Sequence, residues 1–160
     1  MSVTSVKNYL KPWGLDERVR EFDVSSATVA EAALAVQCEE NRIAKTMGFL
    51  VDGAAVLIVA AGDAKIDNGK YKAQFSTKAV MLKGDEVPLL TGHPIGGVCP
   101  FANPVGTRVC LDISLRRFTT VFPACGSANS AIELSLDELM TASGSREWID
   151  VCKGWNESSD

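Results

Sequence analysis

The stretch AKTMGFLV-DG-AAVLIVAA, residues 44–61, decides the fold class of this chain. Its two apolar arms flank Asp52-Gly53, a dipeptide that favours a two-residue hairpin turn because both positions tolerate a positive φ. Few polar residues interrupt either arm, so we expect both faces of the hairpin to be buried. The chain is therefore predicted to fold around a central strand pair that the remaining segments cover.

Short helices and short strands are predicted on both sides of this hairpin. Two capping boxes, in which a hydroxyl side chain and a glutamate three residues later satisfy free helical N–H groups, predict helices that begin at Thr28 and Ser135. Other helices are predicted over residues 3–12, 69–75 and 85–91, and other strands over residues 79–82, 109–113, 118–122 and 131–134, with residues 18–24 and 148–151 as further strand candidates. This content predicts a mixed α/β (α+β) fold in a single domain, residues 1–160, with six to seven strands.

Length and composition narrow the class of protein. The chain has 160 residues, of which 46% are apolar and 22% charged, as in an ordinary globular domain. Its longest apolar run, residues 54–61, is far shorter than the ~20 residues that span a bilayer, and the first seven residues lack a signal-peptide pattern. We therefore expect a cytoplasmic protein with no membrane partner.

The net charge and the cysteine spacing argue against two further classes of protein. A net charge of −4 argues against a protein that grips long nucleic acid non-specifically, so any nucleic-acid contact is expected to be local. The five cysteines form no CxxC pair and are accompanied by one histidine, which argues against a structural zinc site. Free thiols in a reducing compartment are the simplest interpretation.

Three segments have a composition that suits either a binding site or a purely structural role. The loop TGHPIGGVCPFAN, residues 91–103, contains paired glycines that let backbone N–H groups approach a carbonyl, oxyanion or phosphate. Composition alone favours a structural crossover loop. Lys45 is a lone cation among apolar neighbours, which either reaches solvent or presents its charge to a pocket. Residues 122–131, FPACGSANSA, are either a long strand connection or the wall of a pocket.

Taken together, these segments resemble the YbaK/prolyl-tRNA-synthetase-associated editing domains. The resemblance covers about residues 25–145, and its motifs stand in the order AKT (44–46), AGD (61–63) with residues 65–72, GHPIGGVCPF (92–101) and ACGS (124–127). The GHPIGGVCPF block is specific, and the other motifs gain weight from their order. The resemblance implies a barrel-like mixed sheet wrapped by short helices, as in YbaK.

The resemblance also implies an activity and a set of site residues. The implied activity is a free-standing trans-editing deacylase, which hydrolyses the ester that joins a small wrong amino acid (cysteine, alanine or proline type) to the 3′-terminal adenosine of a tRNA. Lys45 matches the family's functional lysine, and residues 96–100 match its Gly-x-x-x-Pro loop, whose backbone lines the aminoacyl pocket. Catalytic roles are accordingly expected for Lys45, Gly96, Gly97 and Val98, and substrate contacts for His93, Cys99, Pro100, Gly126, Ser127 and Asn129.

The same resemblance sets the expected partners. No metal or cofactor is implied, because the family is thought to use a tRNA ribose hydroxyl and backbone groups instead of a protein nucleophile. The expected partners are the acceptor end of a mischarged tRNA and an aminoacyl-tRNA synthetase, with the protein itself a monomer or homodimer. Phosphate contacts are expected from Arg42, Lys45, Lys78, Lys83, Arg116 and Arg117.

Two other functions compete with this one. The first is a hydrolase in which Cys99 is the nucleophile and His93 its base, which would require a lowered thiol pKa. The second is a non-catalytic module that binds an aminoacyl group or nucleotide in the same pocket and regulates without turnover.

Overall fold

The structure, a computed structural model, describes residues 2–156. The five α-helices of this range are α1 (Ser2–Leu10), α2 (Val29–Val36), α3 (Asn68–Phe75), α4 (Glu86–Thr91) and α5 (Leu136–Ser143). The strands are β1 (Arg20–Glu21), β2 (Ile43–Val51), β3 (Ala54–Ala61), β4 (Lys65–Ile66), β5 (Arg108–Asp112), β6 (Thr120–Pro123), β7 (Ser130–Ala131), β8 (Leu134–Ser135), β9 (Trp148–Ile149) and β10 (Cys152–Lys153). None of the helices in this range is long and apolar enough to cross a lipid bilayer.

Six strands form a curled half-barrel in the order β8-β6-β2-β3-β5-β9. The antiparallel pair β2–β3 lies at its centre, and the turn between them has positive φ at both Asp52 (51°) and Gly53 (80°). β2 pairs with β6 in parallel and β3 pairs with β5 in parallel, so the hairpin is flanked on both edges. The predicted mixed fold and its central hairpin are confirmed.

The core is built on the hairpin and the helices that cover it. The side chains of residues 56–61 of β3 are buried, and Phe49 of β2 stacks against Tyr71 of α3 with ring centroids 5.2 Å apart. Tyr71 in turn contacts Phe75 at 4.7 Å. Burial of aromatic and branched side chains of this size contributes about 1.5–3 kcal/mol each to folding, so this face holds α3 in place.

Several short strands differ from the predictions. The predicted strand 79–82 is reduced to one bridge between Met81 and Phe49, and the predicted strand 131–134 is divided between β7 and β8. The two-residue ribbon β4–β10 was not predicted. Elements of two residues carry no readable periodicity, because they form only through pairing with a distant segment.

The edge of β2 that faces away from β3 is paired at both ends and open in the middle. β6 pairs with Ile43 and Ala44 only, while the Gly48 carbonyl accepts from Leu82 N at 3.0 Å and the Leu50 amide donates to Val80 O at 2.8 Å. Within the described range, residues 45–47 have no strand partner on this edge. In a strand, the backbone amide and carbonyl of alternate residues point to the same edge. Gly48 and Leu50 use this edge for their bonds to Leu82 and Val80. The amide and carbonyl of Thr46, two residues before Gly48, therefore face the open gap.

Candidate active site

A cleft of about 180 Å³ lies at this gap in the edge of β2. Residues 43–46 of β2 form one wall, and the glycine-rich loop contributes Gly96 and Val98. Residues 26–29 and Ala32, which lead into and begin α2, close another side. Of the residues the structure describes, no Asp, Glu, His or Cys lines the cleft. Its polar character therefore comes from backbone groups, hydroxyls and the side chain of Lys45.

Lys45 lies in the wall of the cleft with its ammonium group held by a neighbouring turn. Its Nζ donates to the carbonyl of Ala64 and, at 3.5 Å, to that of Gly62. Burial lowers the pKa of Lys45, and the nearby Cys152 and Asp63 oppose that effect. The amino group is thus partly desolvated, and its contacts in this structure are neutral carbonyl oxygens.

The turn that holds Lys45 is itself clamped by an arginine. Arg117 donates to both carboxylate oxygens of Asp63, at 2.6 and 3.0 Å, and to the Trp155 carbonyl at 3.2 Å. A bidentate guanidinium–carboxylate pair fixes orientation as well as distance. Asp63 lies between the two residues whose carbonyls bind Nζ, so the clamp sets the position of the Lys45 ammonium group.

The glycine-rich loop meets the cleft through Gly96 and Val98. Gly96 has a φ of +85°, which favours glycine. For Gly97 the requirement is different: its φ lies outside the left-handed region, but a Cβ there would lie 2.8 Å from the Cα and N of Ser127. The Gly97 amide donates to the Pro94 carbonyl at 2.9 Å, so it is already used within the loop. The amides of Gly96 and Val98 have no hydrogen-bond partner within residues 2–156, which leaves them available to a ligand.

His93 and Cys99 lie behind the loop and do not line the cleft. His93 is 1% exposed; its Nδ1 is 2.6 Å from Ser2 Oγ and its Nε2 is 2.7 Å from the Phe101 carbonyl. That carbonyl can only accept, so Nε2 carries the proton and Nδ1 accepts from Ser2. Burial raises the pKa of Cys99 to about 12 and lowers the pKa of His93. The Cys99 sulfur lies 3.4 Å from His93 Nε2, but it is fully buried outside the cleft and burial favours its protonated form, which does not support the Cys99 hydrolase.

The remaining predicted substrate contacts also lie outside the cleft. Pro100 is buried beside Tyr9. Gly126, Ser127 and Asn129 line a separate groove of about 530 Å³ at the beginning of α1. Ser127 Oγ lies 2.8 Å from Asn129 Oδ1, and Asn129 Nδ2 donates to the Phe22 carbonyl at 2.9 Å. These contacts stabilise the turn before β7.

Sequence reasoning missed two residues that line the cleft, Ser26 and Thr46. The side-chain oxygen of each is buried and has no hydrogen-bond partner among the described residues. Leaving a buried hydroxyl unpaired costs free energy, so such groups are candidates for contact with a ligand. Thr46 could have been singled out because it follows Lys45. Nothing in the sequence signals Ser26, since its position depends on a long-range bond from its amide to the Ala128 carbonyl at 2.6 Å.

Two of the predicted phosphate contacts are engaged elsewhere. Arg42 bonds Thr120 and, at 3.1 Å, Glu133, and its guanidinium lies over Phe122. Arg117 forms the clamp on Asp63. A phosphate would have to compete with these ion pairs, and the predicted phosphate contacts of both arginines stay predictions. Lys78, Lys83 and Arg116 are exposed.

Comparison with known proteins identifies the family. The profile of the family "Aminoacyl-tRNA editing domain" matches residues 23–142 of this chain. The chain belongs to the aminoacyl-tRNA editing domain family. The predicted family is thus confirmed, and the cleft described above lies within the matched residues.

Individual relatives agree with this assignment to the editing-domain family. An uncharacterized protein, YwhH of Bacillus subtilis (strain 168), is 53% identical over 156 residues, which cover 97% of this chain and 99% of YwhH. A proline–tRNA ligase of Lysinibacillus sphaericus (strain C3-41) is 26% identical over 106 residues, 63% of this chain and 19% of the ligase. A crystal structure described as that of a candidate trans-editing enzyme for prolyl tRNA synthetase superimposes with a TM-score of 0.86 at 28% identity, covering 96% of this chain and 98% of that one. The expected YbaK-like half-barrel is confirmed by this superposition.

Proposed function

We propose that this editing domain is a free-standing trans-editing deacylase that hydrolyses the ester of a mischarged tRNA. The observation that carries the proposal is the cleft at the gap in the edge of β2, which is lined by Lys45 and by Gly96 and Val98, whose amides have no partner among residues 2–156. The structural similarity to a protein described as a candidate trans-editing enzyme for prolyl tRNA synthetase supports action in trans. We infer that the aminoacyl group enters the gap and that the terminal adenosine remains at its mouth.

The proposed chemistry needs no protein nucleophile. A water molecule adds to the ester carbonyl carbon, and negative charge develops on the carbonyl oxygen. The amides of Gly96 and Val98 donate to that oxygen, with the positive charge of Lys45 nearby. The bond to the ribose oxygen then breaks, and the proton lost by the water passes to that oxygen, aided by the neighbouring ribose hydroxyl. One preorganised donor of this kind is worth about 10²–10³ in rate.

The cleft suits a small amino acid. Its volume is about 180 Å³, and its apolar wall includes Val29, Ile43 and Phe122. We propose a substrate of the alanine, cysteine or proline type on the acceptor end of a tRNA in the cytoplasm. A prolyl-tRNA synthetase is the proposed protein partner, since synthetases of this class are among the relatives. The proposal includes no metal, and the protein acts as a monomer or homodimer.

The test is a deacylation panel with tRNAs charged with alanine, cysteine, serine and proline. We expect one or more small mischarged esters to be hydrolysed, and Lys45→Ala to lower that rate at least 10²-fold without changing the melting temperature by more than a few degrees. Lys11→Ala, a change at an exposed lysine outside the cleft, is the matched control. Overnight chelation is expected to change neither rate nor melting temperature.

Two results would contradict the proposal. Tight binding of an aminoacyl-adenosine analogue without hydrolysis of any panel member would favour a non-catalytic binding module. Near-wild-type rates in Lys45→Ala would remove this lysine from the mechanism.

A further inference from the structure

The ribbon β4–β10 brings two lysines side by side. Lys65 of β4 is the register partner of Lys153 of β10, and Ile66 is the partner of Cys152. Partners in an antiparallel pair project from the same face, and successive residues alternate faces. Cys152 is buried and Ile66 packs against the core, so Lys65 and Lys153 project together from the outer face, where both are exposed.

This arrangement places two positive charges opposite each other, and Asp67 only partly offsets the charge of Lys153. Like charges directly opposite each other on a strand pair are destabilising. The nearby acids are engaged: Asp63 by Arg117 at 2.6 Å, Asp150 by Lys70 at 3.1 Å, and Asp67 by the Lys70 amide at 2.9 Å. No ion pair is recorded for Lys65 or Lys153 anywhere in residues 2–156. A protein of net charge −4 thus concentrates positive charge on this ribbon.

The ribbon begins directly beside the Lys45 end of the cleft. The carbonyls of Gly62 and Ala64 hold the Lys45 ammonium group, and Lys65 is the next residue along the chain. The charge of Lys65 reaches Lys45, since it contributes to the lowered pKa of the latter. A polyanion whose end occupies the cleft would therefore pass over or near the ribbon.

We propose that Lys65 and Lys153 bind phosphates of the tRNA acceptor end while the aminoacyl group occupies the cleft. This inference rests on the proposed function, and it assigns the acceptor strand to one face of the molecule. The charge complementarity is direct, because the CCA end is single-stranded and each of its phosphates carries one negative charge. Neither lysine touches the ester, so their contribution is to substrate affinity.

The test uses a double variant, Lys65→Gln/Lys153→Gln, against a charge-matched control, Lys11→Gln/Arg146→Gln. Lys11 and Arg146 are exposed and lie outside both the ribbon and the cleft. The probe is an acceptor-stem minihelix that ends in CCA and carries a 5′ fluorophore, and its Kd is measured between 50 and 200 mM NaCl. Each lost contact to a single-stranded phosphate lowers the slope of log K against log salt by about 0.7.

For the double variant we therefore expect a slope smaller by about 1.4 and a Kd raised about three- to tenfold at low salt. Lys65→Arg/Lys153→Arg is expected to retain wild-type binding. With the alanylated minihelix, KM is expected to rise and kcat to stay constant. Alanyl-adenosine, which lacks the phosphates, is expected to be hydrolysed equally by all variants. The melting temperature is expected to hold or rise, because a like-charge pair has been removed.

A Kd and salt slope equal to those of the control pair would overturn the inference. The two proposals fail separately. Lysine-dependent minihelix binding without hydrolysis of any ester contradicts the deacylase and leaves the binding face standing. Hydrolysis of an ester, together with an unchanged minihelix Kd in the double variant, contradicts the binding face and leaves the deacylase standing.

Discussion

Thr46 lines the cleft with backbone and side-chain groups that could form hydrogen bonds to a ligand. Its backbone amide and carbonyl face the gap in the edge of β2, and its Oγ1 is buried with no partner among residues 2–156. We expect Thr46→Val, which keeps the shape and removes the hydroxyl, to lower kcat/KM for the preferred ester about tenfold, as for one lost hydrogen bond. The melting temperature is expected to hold or rise, because an unpaired buried polar group is removed.

Thr46→Ser is the matched variant, since it keeps the hydroxyl. It should retain most of the activity that Thr46→Val loses. If Thr46→Val instead hydrolyses the ester at the wild-type rate, the orphan hydroxyl has no part in binding.

At Gly97 the structure predicts that a substitution lowers stability as well as activity. The added Cβ of Gly97→Ala would lie 2.8 Å from the backbone of Ser127, so the glycine-rich loop and the 126–128 segment must separate. Overpacking of this kind costs about 1–3 kcal/mol, which corresponds to a melting temperature lower by about 2–12 °C in a domain of this size. Deacylation is expected to fall as well, because Gly96 and Val98 move with the loop.

The control is Gly84→Ala, where the nearest atom, Ile95 Cδ1, would lie at an ordinary 3.5 Å. Both properties should stay close to wild type there. A Gly97→Ala protein that melts normally but has lost activity would restore the interpretation in which this glycine acts only in catalysis.

At the scale of elements, both helices that carry capping boxes could be predicted because their signal is local. Thr28 and Glu31 exchange the two expected bonds at the start of α2, as Ser135 and Glu138 do at the start of α5. The central hairpin was predictable for the same reason, since its turn and both arms are contiguous. The gap beside Thr46 was not, because it is made by three separate segments that stop pairing at different residues of β2.

The capping box of α5 carries an additional charge interaction that makes its stability depend on pH. Arg18 donates to both carboxylate oxygens of Glu138 at 2.7 and 2.9 Å, and these bonds, with the Ser135 amide, lower the pKa of Glu138 to about 2. The unfolded carboxyl group titrates near its ordinary value of 4.5. The stabilisation is therefore complete above the unfolded pKa and is lost as the pH falls towards about 2.

We expect Arg18→Ala to lower the melting temperature at pH 7 by about 2–4 °C, since a partly exposed pair contributes about 1 kcal/mol or less. The difference from wild type is expected to shrink between pH 4.5 and pH 2. Thermal melts across this range measure it. A difference that is constant with pH would mean that Arg18 acts through packing and not through the Glu138 carboxylate.

At the scale of the whole molecule, the predicted site residues separate into three groups. Lys45, Gly96 and Val98 line the cleft, Gly97 and Ser127 hold two loops together, and the remaining predicted residues support the loops from behind or line the groove beside α1. A motif marks which segments meet, but the direction in which each side chain points depends on packing between segments far apart in the chain. The sequence could therefore locate the glycine-rich loop, but it could not distinguish the residues that line the cleft from those that support the loop from behind.

The reactivity of the five cysteine thiols tests which parts of the molecule are closed to reagents. Cys99, Cys110, Cys125 and Cys152 are fully buried, and burial raises the pKa of each, to about 12 for Cys99, Cys110 and Cys152. Only Cys38, among the residues described, is a partly exposed thiol. Burial raises the pKa of Cys38 as well, so accessibility is what distinguishes it, and we expect the native protein at pH 8 to react first with one equivalent of a disulfide reagent, and with four more after denaturation.

Cys38→Ser should remove the fast equivalent, and modification of Cys38 should leave deacylation intact, because this residue does not line the cleft. Substrate protection is informative in the same experiment. If a second thiol reacts rapidly in the native protein, Cys99→Ser removes that reaction, and an aminoacyl-adenosine analogue blocks it together with hydrolysis, then Cys99 is accessible and the hydrolase with a cysteine nucleophile must be reconsidered.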